Sequence, residues 1–392
     1  MLDLGQRPLA DGLVASKSAA LSADQFPLRL VLCTHCGLVQ LREAPPPDRL
    51  FGDDFPYFSS INPDLVTHAS KLVDAVFKRR SLGPDSLVLE LASNDGYLLR
   101  HVAERGVPVL GIDPASGPAA CARQQGIETR HAFFDRALAA DLQAEGLTAD
   151  VVIANNVLAH VPDPLDFLTG VADVLKTEGL AVFEVAWGGS LIQSTAFDQI
   201  YHEHHCYFTV GALVQLLERA GLVLLDVEKL TIHSGSLRAF VAHSGQRSAR
   251  VDQLIAQEQQ LQLHRPEPWR QLHRTLATLR GQLYEFLDDQ HRQGLRLAAY
   301  GAAAKGTMLL NWLQPNPALL AWVADISPHK HGLFVPGLGL PVVATERIDQ
   351  DCPDRMLLLP WNWAAEIARD QSTWIEAGGR FILPLPEPRF FP

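Results

Sequence analysis

The chain has 392 residues, and its 33 Lys and Arg against 44 Asp and Glu give a formal net charge of −11. This length predicts two or three domains, and the negative charge disfavours binding to nucleic-acid phosphates. No apolar run reaches the roughly 18 to 20 residues of a membrane span, so we expect neither a nucleic-acid nor a membrane partner. The five scattered cysteines and the lack of a targeting pattern predict a cytoplasmic protein.

Residues 1–64 are rich in turn-forming residues and contain the C-x-x-C sequence Cys33-Thr-His-Cys36. They predict a small, loop-rich module of the zinc-binding type, with a core too small to stand alone. Apolar residues then recur at helical spacing over 65–80, and basic residues close the segment. This pattern predicts a helix that leads into the next domain.

Residues 65–230 alternate between short apolar runs and helical segments. Nearly continuous apolar runs separated by helices are typical of a parallel sheet that is buried on both faces. The sequence therefore predicts a doubly wound, Rossmann-like α/β domain. Its predicted strands cover 87–92, 108–113, 150–155, 180–185 and 222–230, with a further strand at 237–244.

Residues 231–392 predict a helical connector followed by a second, smaller Rossmann-like unit. The polar stretch 251–292 is helical in pattern, and a helix is also expected over 306–313. The chain should end in an apolar strand and an extended proline tail. The other strands predicted in this unit cover 295–301, 320–326, 340–343 and 355–360.

In open α/β sheets, ligands bind outside the carboxyl ends of the strands, so the loop after the first predicted strand is a candidate site. This loop runs from Glu90 to Gly96 and lacks the G-x-G-x-x-G pattern, which disfavours a dinucleotide. The next strand ends at Asp113, whose carboxylate can accept hydrogen bonds from two ribose hydroxyls. Asn155 and Asn156 follow the third strand.

Together these residues resemble the class I S-adenosylmethionine-dependent methyltransferases. The resemblance implies S-adenosyl-L-methionine as cofactor. Two alternatives remain open: a helix-capping role for Asp113, and a place in the hydrophobic core for Phe133 and Phe134. The cofactor-binding residues implied are Glu90, Ala92, Asn94, Gly96, Asp113, Pro114, Phe133, Phe134, Asn155 and Asn156.

The segment 201–207, YHEHHCY, concentrates imidazoles and phenols. Such groups suit general acid-base chemistry or metal binding. The H-E-x-x-H pattern of zinc proteases is absent, because His202 and His204 alternate and would lie on opposite sides of an extended segment. A structural run of loop histidines is the alternative interpretation.

Six motifs, in order along essentially the whole chain, resemble the sugar C-methyltransferases of deoxysugar biosynthesis. Those enzymes methylate a ring carbon beside the ketone of a nucleotide-linked 4-keto deoxysugar, so the resemblance implies this partner and activity. The motifs are FPYFSS at 55–60, ELASNDGYLL at 90–99, NNVLAHVPDP at 155–164, IYHEHHCYF at 200–208, YGAAAKGTMLLN at 300–311 and LLLPWNW at 357–363.

By this resemblance, His204 is the base that removes the proton next to the ketone, and Glu203 and Tyr201 position the base or the sugar. Enolisation requires a base that titrates near neutrality and donors for the enolate oxygen, which these residue types supply. The alternative role for His160 is lining of the cofactor pocket, and the alternative for Lys305 is an ordinary surface position. The other residues implied are Tyr57 and His160 in the catalytic pocket, and His202, Gly301 and Lys305 at the substrate.

The family's N-terminal module holds a structural Zn²⁺ with two C-x-x-C pairs, of which Cys33 and Cys36 match the second. Two thiolates cannot close a tetrahedral zinc site. We therefore expect either a natural protein that begins further upstream or a module without zinc. We also expect a monomer or weak homodimer. A methyltransferase acting on another O, N or C acceptor, and a nucleotide-sugar binding protein without turnover, remain alternative functions.

Overall fold

The computed structural model describes residues 1–45, 50 and 57–392. Within this part of the chain, the strands form sheets of four, seven and six strands. No described helix is both long enough and apolar enough to cross a membrane.

The four-stranded sheet is antiparallel and joins the N-terminus to the middle of the chain, in the order β1-β2-β3-β9. The predicted loop-rich module is therefore built on strands, which the many turn formers between them obscured. The last strand belongs to the histidine-rich segment, so this segment is anchored to the N-terminal module. The elements are β1 Leu2–Arg7, α1 Lys17–Leu21, β2 Phe26–Leu32, β3 Val39–Leu41 and β9 Cys206–Tyr207.

The seven-stranded sheet has the order β10-β11-β8-β7-β4-β5-β6. Strand β11 is antiparallel to both of its neighbours, and β6, β5, β4, β7 and β8 are parallel. Because β11 lies inside the sheet, the sheet continues beyond residue 230, the predicted end of this domain. Its strands are β4 Val88–Leu91, β5 Val109–Asp113, β6 Thr129–His131, β7 Ala149–Asn155, β8 Leu175–Ala186, β10 Val223–Leu230 and β11 Ser236–Ala242.

Helices connect these strands, as the doubly wound prediction requires. The helix expected over 65–80 spans Pro63–Arg79, and the Asn62 side chain caps its N-terminus by accepting from the amide of Asp64. The helices are α2 Pro63–Arg79, α3 Leu99–Ala103, α4 Ser116–Gln124, α5 Arg136–Ala144, α6 Pro164–Val174, α7 Gly188–Gln193 and α8 Val210–Arg219.

The six-stranded sheet forms the C-terminal, Rossmann-like unit in the order β14-β13-β12-β15-β16-β17. Its final strand runs antiparallel to β16, so the predicted proline tail instead turns back onto the sheet. The strands are β12 Leu297–Tyr300, β13 Val323–Asp325, β14 Val342–Ala344, β15 Arg355–Leu358, β16 Arg380–Leu383 and β17 Arg389–Phe391. The helices are α9 Ala249–Gln260, α10 Pro266–Arg292, α11 Ala304–Leu313, α12 Arg347–Asp351, α13 Ala364–Asp370 and α14 Ser372–Glu376.

The N-terminal sheet shares a hydrophobic core with the C-terminal unit. Leu4 and Leu30 lie in one buried cluster with Leu276 and Leu283 of α10 and with Leu309 of α11. Burial of each such side chain contributes about 1.5–3 kcal/mol. The first strands are therefore stabilised by residues more than two hundred positions away in sequence, and the three parts of the chain pack as neighbours.

Candidate functional site

The loop after β4 has an unusual backbone. Ala92, Asn94 and Gly96 all have positive φ angles, of 52°, 51° and 77°. Asn and Gly tolerate this conformation better than other residues. A Cβ atom on Gly96 would also lie 3.1 Å from Cγ1 of Ile127. The tight turn therefore favours Asn at position 94 and Gly at position 96, the residues that the sequence has there.

Asp113 holds this loop at the carboxyl end of β5. Its Oδ2 accepts from the backbone amide of Asn94 and its Oδ1 from that of Ala115, both at 2.8 Å. The residue is only 3% exposed, and this burial raises the pKa of Asp113 to about 6. Each carboxylate oxygen keeps a second lone pair, so the group can also accept from ligand hydroxyls. The capping alternative and the cofactor role are thus compatible in one side chain.

Glu90 lies beneath the same loop and is 1% exposed. Burial, with the charges of Asp113 and Asp95, raises the pKa of Glu90 well above its usual value. Its buried Oε2 has no hydrogen-bond partner within the described part of the chain. Buried polar atoms normally have partners, so this oxygen fits a donor on a bound ligand. Two buried acids beside a tight turn suit the cationic, hydroxyl-bearing S-adenosylmethionine.

The segment that follows Tyr57 lies directly on this loop. The Asn94 side chain accepts from the amide of Ser59 at 2.8 Å and donates to the carbonyl oxygen of Tyr57 at 3.1 Å. The Ser60 hydroxyl donates to Asp95 at 2.5 Å. The structure therefore brings Tyr57, a residue that is 42% exposed, to the loop after β4. Residues 55 and 56 of the predicted motif lie outside the described residues.

The remaining residues predicted for the cofactor have mixed environments. Phe133 is 52% exposed, whereas Phe134 packs edge-on against Phe167 with ring centroids 5.4 Å apart. The carbonyl of Pro114 accepts from Nε2 of His131 at 2.8 Å. Asn155 ends β7, and Asn156, with φ of 54°, donates its amide to the carbonyl of Glu184 at 2.8 Å.

His204 is held at both ring nitrogens. Nδ1 lies 2.8 Å from the backbone carbonyl oxygen of Gln199, and Nε2 lies 2.9 Å from the hydroxyl of Tyr201. A carbonyl oxygen only accepts, so Nδ1 must carry the proton. In the neutral ring, Nε2 therefore keeps its lone pair and accepts from Tyr201. This fixed tautomer makes Nε2 the basic atom.

A second imidazole faces the His204 ring. The ring of His160 packs against that of His204 with centroids 4.7 Å apart, and burial lowers the pKa of His160 to about 4. The amide of His205 donates to the carbonyl of Ala159 at 2.6 Å, which joins the loop after β7 to the histidine-rich segment. A neutral His160 thus lies beside His204 at the carboxyl edge of the seven-stranded sheet.

Glu203 and His202 are both buried. Glu203 is 2% exposed, and its Oε1 accepts from the amide of Asp11 at 3.2 Å. Burial, together with the charge of Asp11, raises the pKa of Glu203 to about 8, so this side chain is protonated at neutral pH. His202 is fully buried with its ring edge against Phe26, and burial lowers its pKa to about 4.

Lys305 lies in a buried contact between the two Rossmann-like units. Its Nζ is 3.8 Å from Oδ2 of Asp198, contacts the side-chain oxygen of Asn362 and lies 5.1 Å from the centre of the Trp361 ring. Gly301 has φ of 91°, and a Cβ atom there would collide with the Pro360 ring. Lys305 thus has protein partners at this contact, and Gly301 packs against Pro360 within the C-terminal unit.

Sequence reasoning missed Asp11, Asp198 and Gln199. Asp11 lies in a segment without a recognisable pattern, and Gln199 acts through its backbone carbonyl, which any residue has. Asp198 is fully buried, and only its position just before the histidine-rich segment could have pointed to it.

The set of ligands expected for zinc is incomplete in the described residues. Cys33 and Cys36 are free thiols on a turn in which the amide of Gly37 donates to the Cys33 carbonyl at 2.8 Å. Within residues 1–45, 50 and 57–392, no group of three or more His, Cys, Asp or Glu side chains could hold a metal ion. The described residues therefore do not fit a four-ligand zinc site.

Three family models match consecutive parts of the chain. They are described as "Putative zinc binding domain" over residues 1–51, "Methyltransferase domain" over 65–227 and "C-methyltransferase C-terminal domain" over 231–386.

Two curated relatives and one solved structure show different extents of similarity. C-methyltransferase NovU from Streptomyces niveus is 33% identical over 392 aligned residues, covering 99% of this chain and 93% of the relative. A ubiquinone biosynthesis O-methyltransferase from Ruegeria sp. (strain TM1040) is 31% identical, covering 36% of this chain and 61% of its own. The crystal structure of an S-adenosylmethionine-dependent methyltransferase from Clostridium acetobutylicum aligns at 16% identity with a TM-score of 0.37, covering 46% of this chain and 92% of that one.

The full-length similarity to NovU and the methyltransferase models agree with the sheet order and the two buried acids described above. The chain belongs to the family of S-adenosylmethionine-dependent C-methyltransferases that includes NovU.

Proposed function

We propose that this enzyme transfers a methyl group to a ring carbon next to the ketone of a nucleotide-linked 4-keto deoxysugar, with His204 as the base. The observation that carries the proposal is the double anchoring of His204, at Gln199 through Nδ1 and at Tyr201 through Nε2. Similarity to a C-methyltransferase over nearly the whole chain supports a carbon acceptor.

The proton step follows from the tautomer of His204. A hydrogen on the carbon next to a ketone is acidic enough for a positioned imidazole to remove when a donor stabilises the enolate oxygen. The Tyr201 hydroxyl has one proton to donate, so it turns from Nε2 to the ketone oxygen when the sugar binds. The freed lone pair of Nε2 then takes the proton from carbon, and Tyr201 donates to the oxygen that gains charge. Burial and the charge of Asp11 raise the pKa of Tyr201 well above its usual value, so the phenol keeps its proton and remains a donor.

The methyl-transfer step needs alignment rather than further activation. Bound S-adenosylmethionine supplies a methyl group on a positively charged sulfur. The nucleophilic carbon forms the new C–C bond as the S–CH₃ bond breaks, and the proton stays on His204. The roles of Glu90 and Asp113 are to hold the cofactor's polar groups below the loop 92–96, which Tyr57 and its neighbours cover.

Glu203 has a donor role in this proposal. At neutral pH its carboxyl group is protonated, because its pKa is raised to about 8. A neutral acid can donate to a sugar hydroxyl or to the ketone without placing a second negative charge beside an enolate. His160, neutral for the same reason of burial, packs against the base and limits its rotation.

The test is methyl transfer from S-adenosylmethionine with a ¹³C-labelled methyl group to a panel of nucleoside-diphosphate-linked 4-keto deoxysugars. We expect a product in which ¹³C is bonded to a ring carbon, identified by one-bond carbon-carbon coupling. A label on oxygen or nitrogen would contradict the carbon acceptor. Binding of both ligands without a labelled product would favour a protein without turnover.

A further inference from the structure

Asp198 links the methyltransferase domain to the C-terminal unit just before the histidine-rich segment. It belongs to a short 3₁₀ turn, Phe197–Gln199, and its side chain is fully buried. Its Oδ2 accepts from Nε1 of Trp361 at 2.8 Å and lies 3.8 Å from Nζ of Lys305. One carboxylate therefore has two partners in the C-terminal unit.

The Asp198 side chain meets the C-terminal sheet at the carboxyl ends of β12 and β15. Lys305 lies in the first turn of α11 after β12, and Trp361 follows β15, the parallel neighbour of β12. The order β13-β12-β15 makes this the point where strand order reverses, which in open sheets forms a crevice for ligands. Here that crevice receives an acidic side chain from the other domain.

A second contact holds the same turn. Phe197 is fully buried, and its ring packs against Trp312 of α11 with centroids 4.4 Å apart. Within the turn, the amide of Ile200 donates to the carbonyl of Phe197 at 2.9 Å. Two adjacent side chains thus fix the turn to the C-terminal unit.

The next residue in this turn is Gln199, whose carbonyl oxygen accepts from Nδ1 of His204. A shift of the turn would move this acceptor away from the imidazole. The Nδ1-protonated tautomer would then lose its hydrogen-bond partner. Nε2 would no longer be fixed as the unprotonated, basic nitrogen.

We propose that Asp198 and Trp361 are positioning residues for the catalytic base, through which the C-terminal unit sets the tautomer of His204. Neither residue contacts the reacting atoms in this account. The proposal rests on the proposed function insofar as it calls His204 the base, but the tautomer itself can be measured without any substrate.

Three variants separate positioning from general stability. Trp361→Phe keeps an aromatic ring over Lys305 and removes the indole N–H that donates to Asp198, at the cost of some ring volume. Asp198→Ala removes the acceptor, whereas Asp198→Asn keeps an oxygen that can accept from Trp361. Trp363→Phe, in the same 3₁₀ turn as Trp361, is the matched control.

The first readout is the tautomer of His204 by ¹⁵N NMR of protein with labelled histidine, assigned by loss of its signals in His204→Gln. We expect the Nδ1-protonated form in the parent protein, Asp198→Asn and Trp363→Phe. In Asp198→Ala and Trp361→Phe the Nε2-protonated form should become the major one. An unchanged tautomer in folded Asp198→Ala and Trp361→Phe would overturn the proposal.

The second readout is steady-state kinetics with a nucleotide-linked keto sugar that the parent enzyme methylates. We expect Trp361→Phe to lower kcat about tenfold, the effect of one weakened hydrogen bond, with KM for S-adenosylmethionine unchanged. A rise in this KM with unchanged kcat would contradict positioning of the base. If His204→Gln retained activity, the base assignment would fail, while the tautomer measurement would still decide whether Asp198 and Trp361 orient this ring.

Discussion

The hydroxyl of Tyr201 donates to Nε2 of His204 across 2.9 Å, while the other nitrogen of the ring donates to a backbone carbonyl. Tyr201→Phe should therefore leave His204 held at Gln199 through Nδ1 and remove the donor for the enolate oxygen. We expect kcat to fall about 10²-fold, as for loss of one oxyanion donor, with little change in cofactor affinity. Methyl transfer and calorimetric titration would measure both.

Tyr284→Phe on α10 is the control for loss of a hydroxyl, since Tyr284 lies outside the site. It should behave like the parent enzyme. A kcat for Tyr201→Phe within twofold of the parent value would mean that the phenol is not the donor.

The carboxylate of Asp113 accepts hydrogen bonds from two backbone amides. Replacing one of its oxygens with NH₂ would place an N–H donor opposite one of these amide donors. We expect Asp113→Asn to weaken S-adenosylmethionine binding by about 10- to 100-fold, the usual effect of a lost hydrogen bond to a charged group. Asp141→Asn on the exposed face of α5 is the matched control. Equal affinity in the two variants, measured by calorimetry, would rule out the cofactor role of Asp113.

The raised pKa of Asp113, about 6, gives this site a pH dependence. The ionised carboxylate accepts from hydroxyl donors better than the acid does. Affinity for S-adenosylmethionine should therefore fall as pH falls through about 6, and this step should be absent in Asp113→Asn. Titrations between pH 5 and pH 8 would show the step, and a flat profile in the parent protein would contradict it.

Glu203 should lower the stability of the protein as pH rises. Its pKa is about 8 in the fold against 4.5 as the ordinary value, so between these values the folded state binds a proton that the unfolded state has lost. The free energy of unfolding should therefore fall from about pH 4.5 to pH 8. Glu203→Gln removes this contribution to the pH dependence of stability.

Thermal unfolding would measure this effect. We expect parent and Glu203→Gln to have similar Tm values near pH 4.5, and the variant to have the higher Tm at pH 8. Glu267→Gln, an exposed position in the first turn of α10, should follow the parent at both pH values. A Glu203→Gln protein with the lower Tm at pH 8 would show that Glu203 is ionised and stabilising.

The shared core predicts that the N-terminal sheet and the C-terminal unit unfold together. Leu30 is fully buried in the cluster that contains the leucines of α10. Leu30→Ala should lower the free energy of unfolding by about 2–5 kcal/mol and shift one common transition in calorimetry. A separate early transition for the N-terminal sheet would contradict this coupling.

The parallel strands were predictable because each is a short apolar run bounded by helical segments. The predicted strand at 150–155 corresponds to Ala149–Asn155, and that at 108–113 corresponds to Val109–Asp113. The N-terminal strands were not predicted, because Leu2–Arg7 alternates with glycine and charged residues and gains its stability from distant helices. The same limit applies to β17, which follows three prolines and is defined by pairing with β16.

For the site, residue types at strand ends were predictable and partners were not. The positions of Asp113 and of the histidine-rich segment could be read from sequence, because strand ends and imidazole clusters have local signatures. The contacts of His204 with Gln199, and of Lys305 with Asp198, depend on how the chain folds back on itself. The resemblance implied a substrate contact for Lys305, and the structure places a carboxylate of the protein beside it.

Solvent exchange at the carbon next to the ketone measures whether His204 removes its proton. A nucleotide-linked 4-keto deoxysugar that the parent enzyme methylates would be incubated in D₂O with S-adenosylhomocysteine, which lacks the transferable methyl group. Loss of the proton signal next to the ketone would be followed by NMR. We expect exchange with the parent enzyme and with His273→Gln, an exposed histidine of α10, and none above background with His204→Gln. Exchange at the parent rate in His204→Gln would mean that His204 is not the base.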